Sequence, residues 1–254
     1  MASAKRIKKE LEEFQNFQQQ FFINIAHEIR TPLNGIIGML TLLEDTKLTN
    51  DQQDYISMVK ECSFNLMTII NDILDYSKLE VGKISLDIKP MNLQECIEST
   101  NDIVLSKIYE KSLEYTHNID NTLPQLIYGD SNRIKQILLN LLSNSIKFTD
   151  KGTVFINVES ISYNDYNLLK NKYSECTITN NILENSIGSD NLCVNKIYLR
   201  FDIADTGCGI DPSDMQKLFK SFSQVDNHIT SKIYQGTGLG LAISKELVEL
   251  MGGF

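Results

Sequence analysis

The chain has 254 residues, 42% of them hydrophobic, enough for two ordinary domains and a sizeable buried core. Twenty-four Lys and Arg stand against 33 Asp and Glu, and the charge of −9 leaves no basic region to neutralise a phosphate backbone, which argues against nucleic-acid binding. No window approaches 18 consecutive apolar residues, the polar start MASAKRIKKELEEF is no secretory leader, and the five cysteines never form CxxC, a pattern of free thiols in a reducing compartment.

Residues 5–44 place apolar groups at Ile7, Leu11, Phe14, Phe21, Ile25, Ile29, Ile36, Met39 and Leu43. The steps mostly alternate between four and three once Gln18 and Pro32 fill their slots, which predicts a long helix with a coiled-coil or bundle seam. Two successive four-residue steps, from Phe21 to Ile25 to Ile29, form a stutter around His27. Pro32 cannot donate to the carbonyl of Glu28, so the helix is expected to bend or loosen there. After the polar connector LEDTKLTNDQQ, the residues Tyr55, Val59, Cys62, Leu66, Ile69, Ile73 and Tyr76 repeat in unbroken 4-3 steps. Two such helices form an antiparallel hairpin too thin to bury both seams, so dimerisation into a four-helix bundle is expected.

The pattern changes near Val81 and Gly82. ISLDIKP (84–90) alternates like a strand, 92–110 is amphipathic at helical spacing, and SLEYTHNI (112–119) alternates again. Asp130 to Phe148 predicts a strong helix, with Ile134, Ile137, Leu138, Leu141, Leu142 and Ile146 on its apolar side. TVFINVES and KIYLRFDIAD are two further strands, separated by residues 161–195, which hold eight Asn and are expected to be a flexible, peripheral insertion. Leu239 to Met251 is the last helix. The fold class is therefore multidomain: a helical hairpin followed by an α/β domain.

Three clusters in the second part carry chemistry. Asn140, Asn144 and Lys147 lie four and three apart on one helical face, where an Asn oxygen can serve magnesium and a Lys can meet phosphate; the same spacing suits a merely solvated face. In DIADTGCGI, Asp205 ends an apolar strand and is expected to be a buried acceptor for an exocyclic amine such as that of adenine, while Gly207 and Gly209 let backbone approach a flat ring. An ordinary strand-to-loop turn has the same composition. QGTGLGLAIS places Gly236, Gly238 and Gly240 at a helix start, an anion site fit for a polyphosphate. It matches neither GxxxxGK[ST] nor GxGxxG directly after a strand. Between the last two clusters, LFKSFSQVD and the polar stretch to Gln235 have the length of a mobile lid.

Asn140/Asn144/Lys147, DTGCGI, the Phe219/Phe222 segment and GTGLGL, in that order, resemble the N, G1, F and G2 boxes of the sensor histidine kinase catalytic domain, and FFINIAHEIRTPLNGIIGM resembles the H box of the same family. The resemblance implies a Bergerat-type ATP-binding α/β sandwich over 84–254, a dimerisation and phosphotransfer hairpin over 21–80 that forms a dimeric four-helix bundle, and a coiled-coil signalling helix or linker over 1–20. It implies His27 as phosphoacceptor, Glu28 as its acid/base partner and Thr31 as a residue for receiver dephosphorylation. Asn144 would hold Mg2+, Asn140 and Lys147 would face the phosphates, and Asp205 would read adenine. Gly207, Gly209, Phe219, Phe222, Gly236, Thr237, Gly238, Leu239 and Gly240 would complete the ATP site.

The implied reaction is autophosphorylation of His27 from ATP and relay to an aspartate of a receiver domain. HEIRTPLNGIIGM with SQVD is similar to hybrid kinases, in which that receiver follows in the same polypeptide. Gyrase-type ATPases resemble this domain but usually carry Glu where Asn140 stands; an amide cannot activate water, which favours transfer to histidine. Rival readings are a net phosphatase and a non-catalytic, nucleotide-gated dimeric scaffold. His117 and His228 are expected to be structural or solvated. The resemblance further implies strands after the glycine pair of MGGF, so the C-terminal strands are expected to be missing. It also implies a segment on the cytoplasmic side with no membrane contact of its own.

Overall fold

The computed structural model describes residues 2–80, 82–173, 196–223 and 237–254. They form two compact units, Met1–Ile84 and Ser85–Phe254.

The first unit is a hairpin of α1 (Ala2–Glu44) and α2 (Asn50–Glu80), with α1 helical straight through Pro32. Before α2, Thr49 and Gln52 form a capping box. The Gln52 N–H donates to Thr49 Oγ1 at 3.3 Å and the Thr49 N–H to Gln52 Oε1 at 3.0 Å. Arg30 Nη2 donates to Asn71 Oδ1 at 2.9 Å, and Lys60 pairs with Glu44 at 2.5 Å.

The contact between the two helices of one hairpin runs along a stripe beside the seams read from the sequence. Ala26, Leu33 and Leu40 of α1 and Ile56, Ser63, Ile70 and Ser77 of α2 are buried, each set at heptad spacing. Phe14, Phe21, Ile25, Ile36, Met39, Leu43, Tyr55, Val59, Leu66 and Ile69, read from the sequence as the seams, remain 38–66% exposed. Each helix carries two adjacent stripes, and one partner helix covers only one of them. The stripe that includes the small residues Ala26 and Ser63 permits the closer approach.

In the second unit, β1 (Lys89–Asn92) pairs antiparallel with β3 (Leu126–Gly129). β2 (Glu114–Ile119) runs parallel to β4 (Thr153–Ile161), which pairs antiparallel with β5 (Tyr198–Asp205), giving the order β2-β4-β5. The strand expected over 84–90 begins only at Lys89. Val154, Ile156 and Val158 alternate as the buried residues of β4 and pack with Leu93, Cys96, Ile97, Val104 and Ile108 of α3 (Leu93–Glu110) and Leu138, Leu142 and Ile146 of α4 (Ser131–Phe148). Both helix starts are capped. Asn92 accepts from the Glu95 N–H, and buried Asp130 accepts from the Asn132 and Arg133 N–H groups with one oxygen and from Asp87 N–H with the other.

Residues 161–195 are not simply an unstructured insertion, because Tyr163–Tyr173 form α5. Ser162 caps it, accepting from the Asp165 N–H at 3.1 Å. Tyr166 packs 4.6 Å from the Tyr198 ring, and its hydroxyl donates to the Gly252 carbonyl at 2.9 Å. Residues 174–195 lie outside the described residues. The final helix, α6 (Gly240–Leu250), ends with Gly252 at φ +83° and the Gly253 N–H on the Val248 carbonyl, a Schellman-type close.

Candidate functional site

α4 is the platform on which the three clusters of the second unit converge. At its C-terminal end the Cys208 N–H donates to the Phe148 carbonyl at 3.3 Å. A Cβ on Gly207 would stand 2.4 Å from that same oxygen, so this loop crosses the helix end only with glycine there. Asp205 Oδ1 accepts from the Gly207 N–H at 3.0 Å, shaping the turn. Contrary to the expected buried carboxylate, Asp205 is exposed: it is the last residue of β5, where the chain leaves the sheet. Gly209 sits at φ +71° with open space around it.

Two turns earlier on α4, Asn140 meets the start of α6. Its Nδ2 donates to Ser244 Oγ at 2.9 Å, and a Cβ on Gly240 would come within 2.2 Å of its Oδ1. Asn140 is thus engaged by α6. Asn144 is half-buried and its amide makes no hydrogen bond to any described residue. Lys147 is half-buried, lies 5.2 Å over the Phe148 ring, and burial pushes its ammonium below the ordinary lysine range.

The Phe219/Phe222 segment docks by its backbone. The Phe222 N–H donates to the Gly238 carbonyl at 3.1 Å. Phe222 itself adopts φ +61°, a conformation disfavoured for a bulky side chain. Gly238, at φ +69°, lies so close that a Cβ would stand 2.9 Å from the Ser223 carbonyl. The Phe219 and Phe222 rings are exposed. Thr237 Oγ1 accepts from the Leu239 N–H at 3.1 Å, while the Leu239 side chain is fully buried. Gly236, His228 and the lid from 224 to 235 lie outside the described residues.

On α1, His27, Glu28 and Thr31 are exposed along one turn, and the Thr31 hydroxyl donates to the His27 carbonyl at 3.1 Å. Two supporting side chains carry no local sequence signal of their role. Lys111 Nζ donates to the carbonyls of Ile146, Lys147 and Thr149 at 2.9, 3.0 and 3.2 Å, closing the end of α4 directly behind the site. Ser244 could have been noticed only through its place one turn beyond Gly240. Among the described residues no group of three or more His, Cys, Asp or Glu could hold a metal, and no helix is long and apolar enough to cross a membrane.

Residues 17–82 match the family described as His Kinase A (phospho-acceptor) domain, and residues 129–254 match the histidine kinase-, DNA gyrase B-, and HSP90-like ATPase. Over 246 residues the chain is 38% identical to the sensor histidine kinase GacS of Pseudomonas protegens, a match that takes in 97% of this chain and 24% of that protein. It is 39% identical over 233 residues to hybrid signal transduction histidine kinase B of Dictyostelium discoideum, taking in 92% of this chain and 10% of that protein. The solved structure of full-length ShkA in complex with AMPPNP aligns with a TM-score of 0.63 and 30% identity, over 92% of this chain and 41% of that one. The chain spans about a quarter or less of the length of these curated relatives.

Proposed function

Because the chain belongs to the histidine kinase family, with a His Kinase A domain followed by the ATPase domain, we propose that it transfers the γ-phosphoryl group of Mg-ATP to His27 and relays it to an aspartate of a receiver domain. The observation that carries this reading is the convergence on α4: the Gly207 loop closes on Phe148 and the Gly240 helix start closes on Asn140. Those points are eight residues apart, about 12 Å along the helix axis. A nucleoside triphosphate laid along that helix would meet the Asp205–Gly209 loop with its base and the N–H groups at the start of α6 with its phosphates.

The residues present fit a magnesium ion. Such an ion takes one or two protein oxygens and fills the rest of its shell with phosphate and water, so it needs no carboxylate cluster, and Asn144 offers an unengaged, half-buried amide. When bound, the ion would neutralise charge on the β- and γ-phosphate oxygens. Lys147 would add positive charge on the same face. Asn140, already committed to Ser244, would hold the start of α6 rather than reach the phosphates itself.

At His27 a ring nitrogen attacks the γ-phosphorus, the bond from that phosphorus to the β–γ bridging oxygen breaks, and ADP leaves. Glu28, the next residue, takes the proton that the imidazole gives up. We assign residues 1–20 to a signalling helix, 21–80 to the phosphotransfer hairpin and 84–254 to the catalytic domain. The exposed stripes of α1 and α2 would join two copies as a homodimer. Thr31 supports a second activity on the same turn: its proton is given to the His27 carbonyl, leaving hydroxyl lone pairs to orient water toward a phosphorylated receiver.

Incubation with γ-labelled ATP and magnesium tests the kinase. Wild-type chain should acquire acid-labile, base-stable label, and His27→Ala should acquire none while still binding nucleotide. Nucleotide binding without label in the wild type would reject the proposal.

A further inference from the structure

Asp205 is exposed at the end of β5, yet a carboxylate that reads a base has to be aimed. The residue that follows it supplies the aim. β5 pairs with β4 from Tyr198 opposite Ile161 to Asp205 opposite Val154, so the next pair in that antiparallel ladder is Thr206 with Thr153. The Thr206 N–H donates to the Thr153 carbonyl at 3.1 Å, as a ladder residue does. The return bond is different: the Thr153 N–H donates at 3.0 Å to the Thr206 hydroxyl oxygen, where a strand would offer its carbonyl. The hydroxyl thus stands in for its own backbone. It lets the chain leave the sheet at this residue without stranding a donor on β4.

The hydroxyl is itself held in place. Thr206 Oγ1 donates to the Thr153 carbonyl at 3.5 Å, and Gly152, at φ +122°, passes so close that a Cβ there would fall on the hydroxyl. The turn at 152–153 is braced by β2, because the Glu114 N–H donates to the Gly152 carbonyl at 2.9 Å and Thr153 Oγ1 donates to Glu114 Oε2 at 3.3 Å. On the loop side, Asp205 Oδ1 accepts from the Gly207 N–H at 3.0 Å. One carboxylate oxygen is therefore engaged inside the turn, while Oδ2 accepts from no described residue and is available to a ligand.

We propose that Thr206 is a positioning residue for base selectivity: its hydroxyl fixes the point at which the chain leaves β4 and so aims Asp205 Oδ2 at the exocyclic amine of adenine. This role rests on the assignment of Asp205 to the base. An acceptor held at one point favours a purine that carries a 6-amino group over one that lacks it. The same acceptor on a loosened turn loses that preference, while contacts to the phosphates, made from α4 and α6, are unaffected. Thr206 is exposed and follows eight paired residues, so the pairing of β4 with β5 does not depend on its hydroxyl.

The test measures, by calorimetry on the full chain with magnesium, the binding of ADP and of purine riboside diphosphate, which lacks the 6-amino group and, like ADP, is not turned over. Wild type should bind ADP about tenfold or more the tighter. Thr206→Val, which keeps the side-chain shape and removes the oxygen, should lose most of that preference by weakening ADP alone. Thr206→Ser should restore it, and Gly152→Ala, which displaces the hydroxyl from outside, should abolish it. In an Asp205→Asn background Thr206→Val should change neither affinity. Equal weakening of both nucleotides in Thr206→Val, or an intact preference in Thr206→Val or Gly152→Ala, would overturn the role of Thr206 and leave that of Asp205 standing. A wild type that binds both nucleotides equally would overturn both.

Discussion

A methyl group at Gly240 would meet Asn140 Oδ1 at 2.2 Å, a separation no relaxed contact tolerates. In an open helix, replacing Gly by Ala stabilises by about 1 kcal/mol. Here the clash reverses the sign, and Gly240→Ala is expected to lower stability by about 1–3 kcal/mol, read as a fall in Tm, and to weaken nucleotide binding as α6 is pushed off α4. The second substitution Asn140→Ala should recover much of that stability, because it empties the space the methyl needs. A double-mutant cycle with strictly additive effects would show that the two residues do not share the contact. Ser244 depends on the same pair, since losing Asn140 removes its donor.

Among the elements, α4 depends on groups far from it in sequence. Its N-terminus is closed locally by Asp130, but the carbonyls of Ile146, Lys147 and Thr149 are closed by Lys111, from the end of α3. A cation at a helix C-terminus also opposes the negative end of the macrodipole. Lys111→Met keeps the aliphatic stem and removes the donors, and should cost about 1–3 kcal/mol, measured by denaturant midpoint. Because Phe148 also carries the Gly207 loop, nucleotide affinity should fall with it. An unchanged midpoint would mean water replaces the ammonium at no cost.

The same contrast explains what was legible in the sequence. The starts of α3 and α4 are written in Asn92 and Asp130, and the glycine clusters are local, so elements and loops could be placed from neighbours alone. α5 escapes the sequence reading because its helical stripe, Tyr163, Tyr166, Leu169 and Tyr173, is made largely of tyrosines set among Asn and Lys in an Asn-rich segment. Its local signal is the Ser162/Asp165 cap, and much of its support comes from Tyr198 and Gly252, distant in the chain. β1 begins at Lys89 because its register is set by pairing with Leu126–Gly129, which alternation over 84–90 does not encode. Asp205 was expected to be buried from the apolar run before it, but exposure at a strand end depends on where the chain turns. The roles of Lys111 and Ser244 arise only once α3, α4 and α6 are packed.

At the scale of the whole molecule, the hairpin stripes tie folding to assembly. Ala26, Leu33 and Leu40 close against α2, while Ile25, Ile36, Met39, Val59, Leu66 and Ile69 stay open to solvent in a single copy. An apolar stripe of that length on both helices exceeds the scattered exposure ordinary for a monomer and matches the second seam a four-helix bundle requires. Charges placed on the open stripe and not in the closed one should therefore separate dimerisation from hairpin formation. Ile36→Lys/Ile69→Lys changes two half-exposed residues and leaves Ala26, Leu33, Leu40 and Ile70 in place. Wild-type chain should sediment at twice its 28.9 kDa mass and the variant at 28.9 kDa, with helical circular dichroism largely retained and a concentration-dependent Tm only in the wild type. If wild type sediments as a monomer at tens of micromolar, the open stripe is not a homodimer seam. If both proteins sediment as dimers, the seam lies elsewhere on the chain.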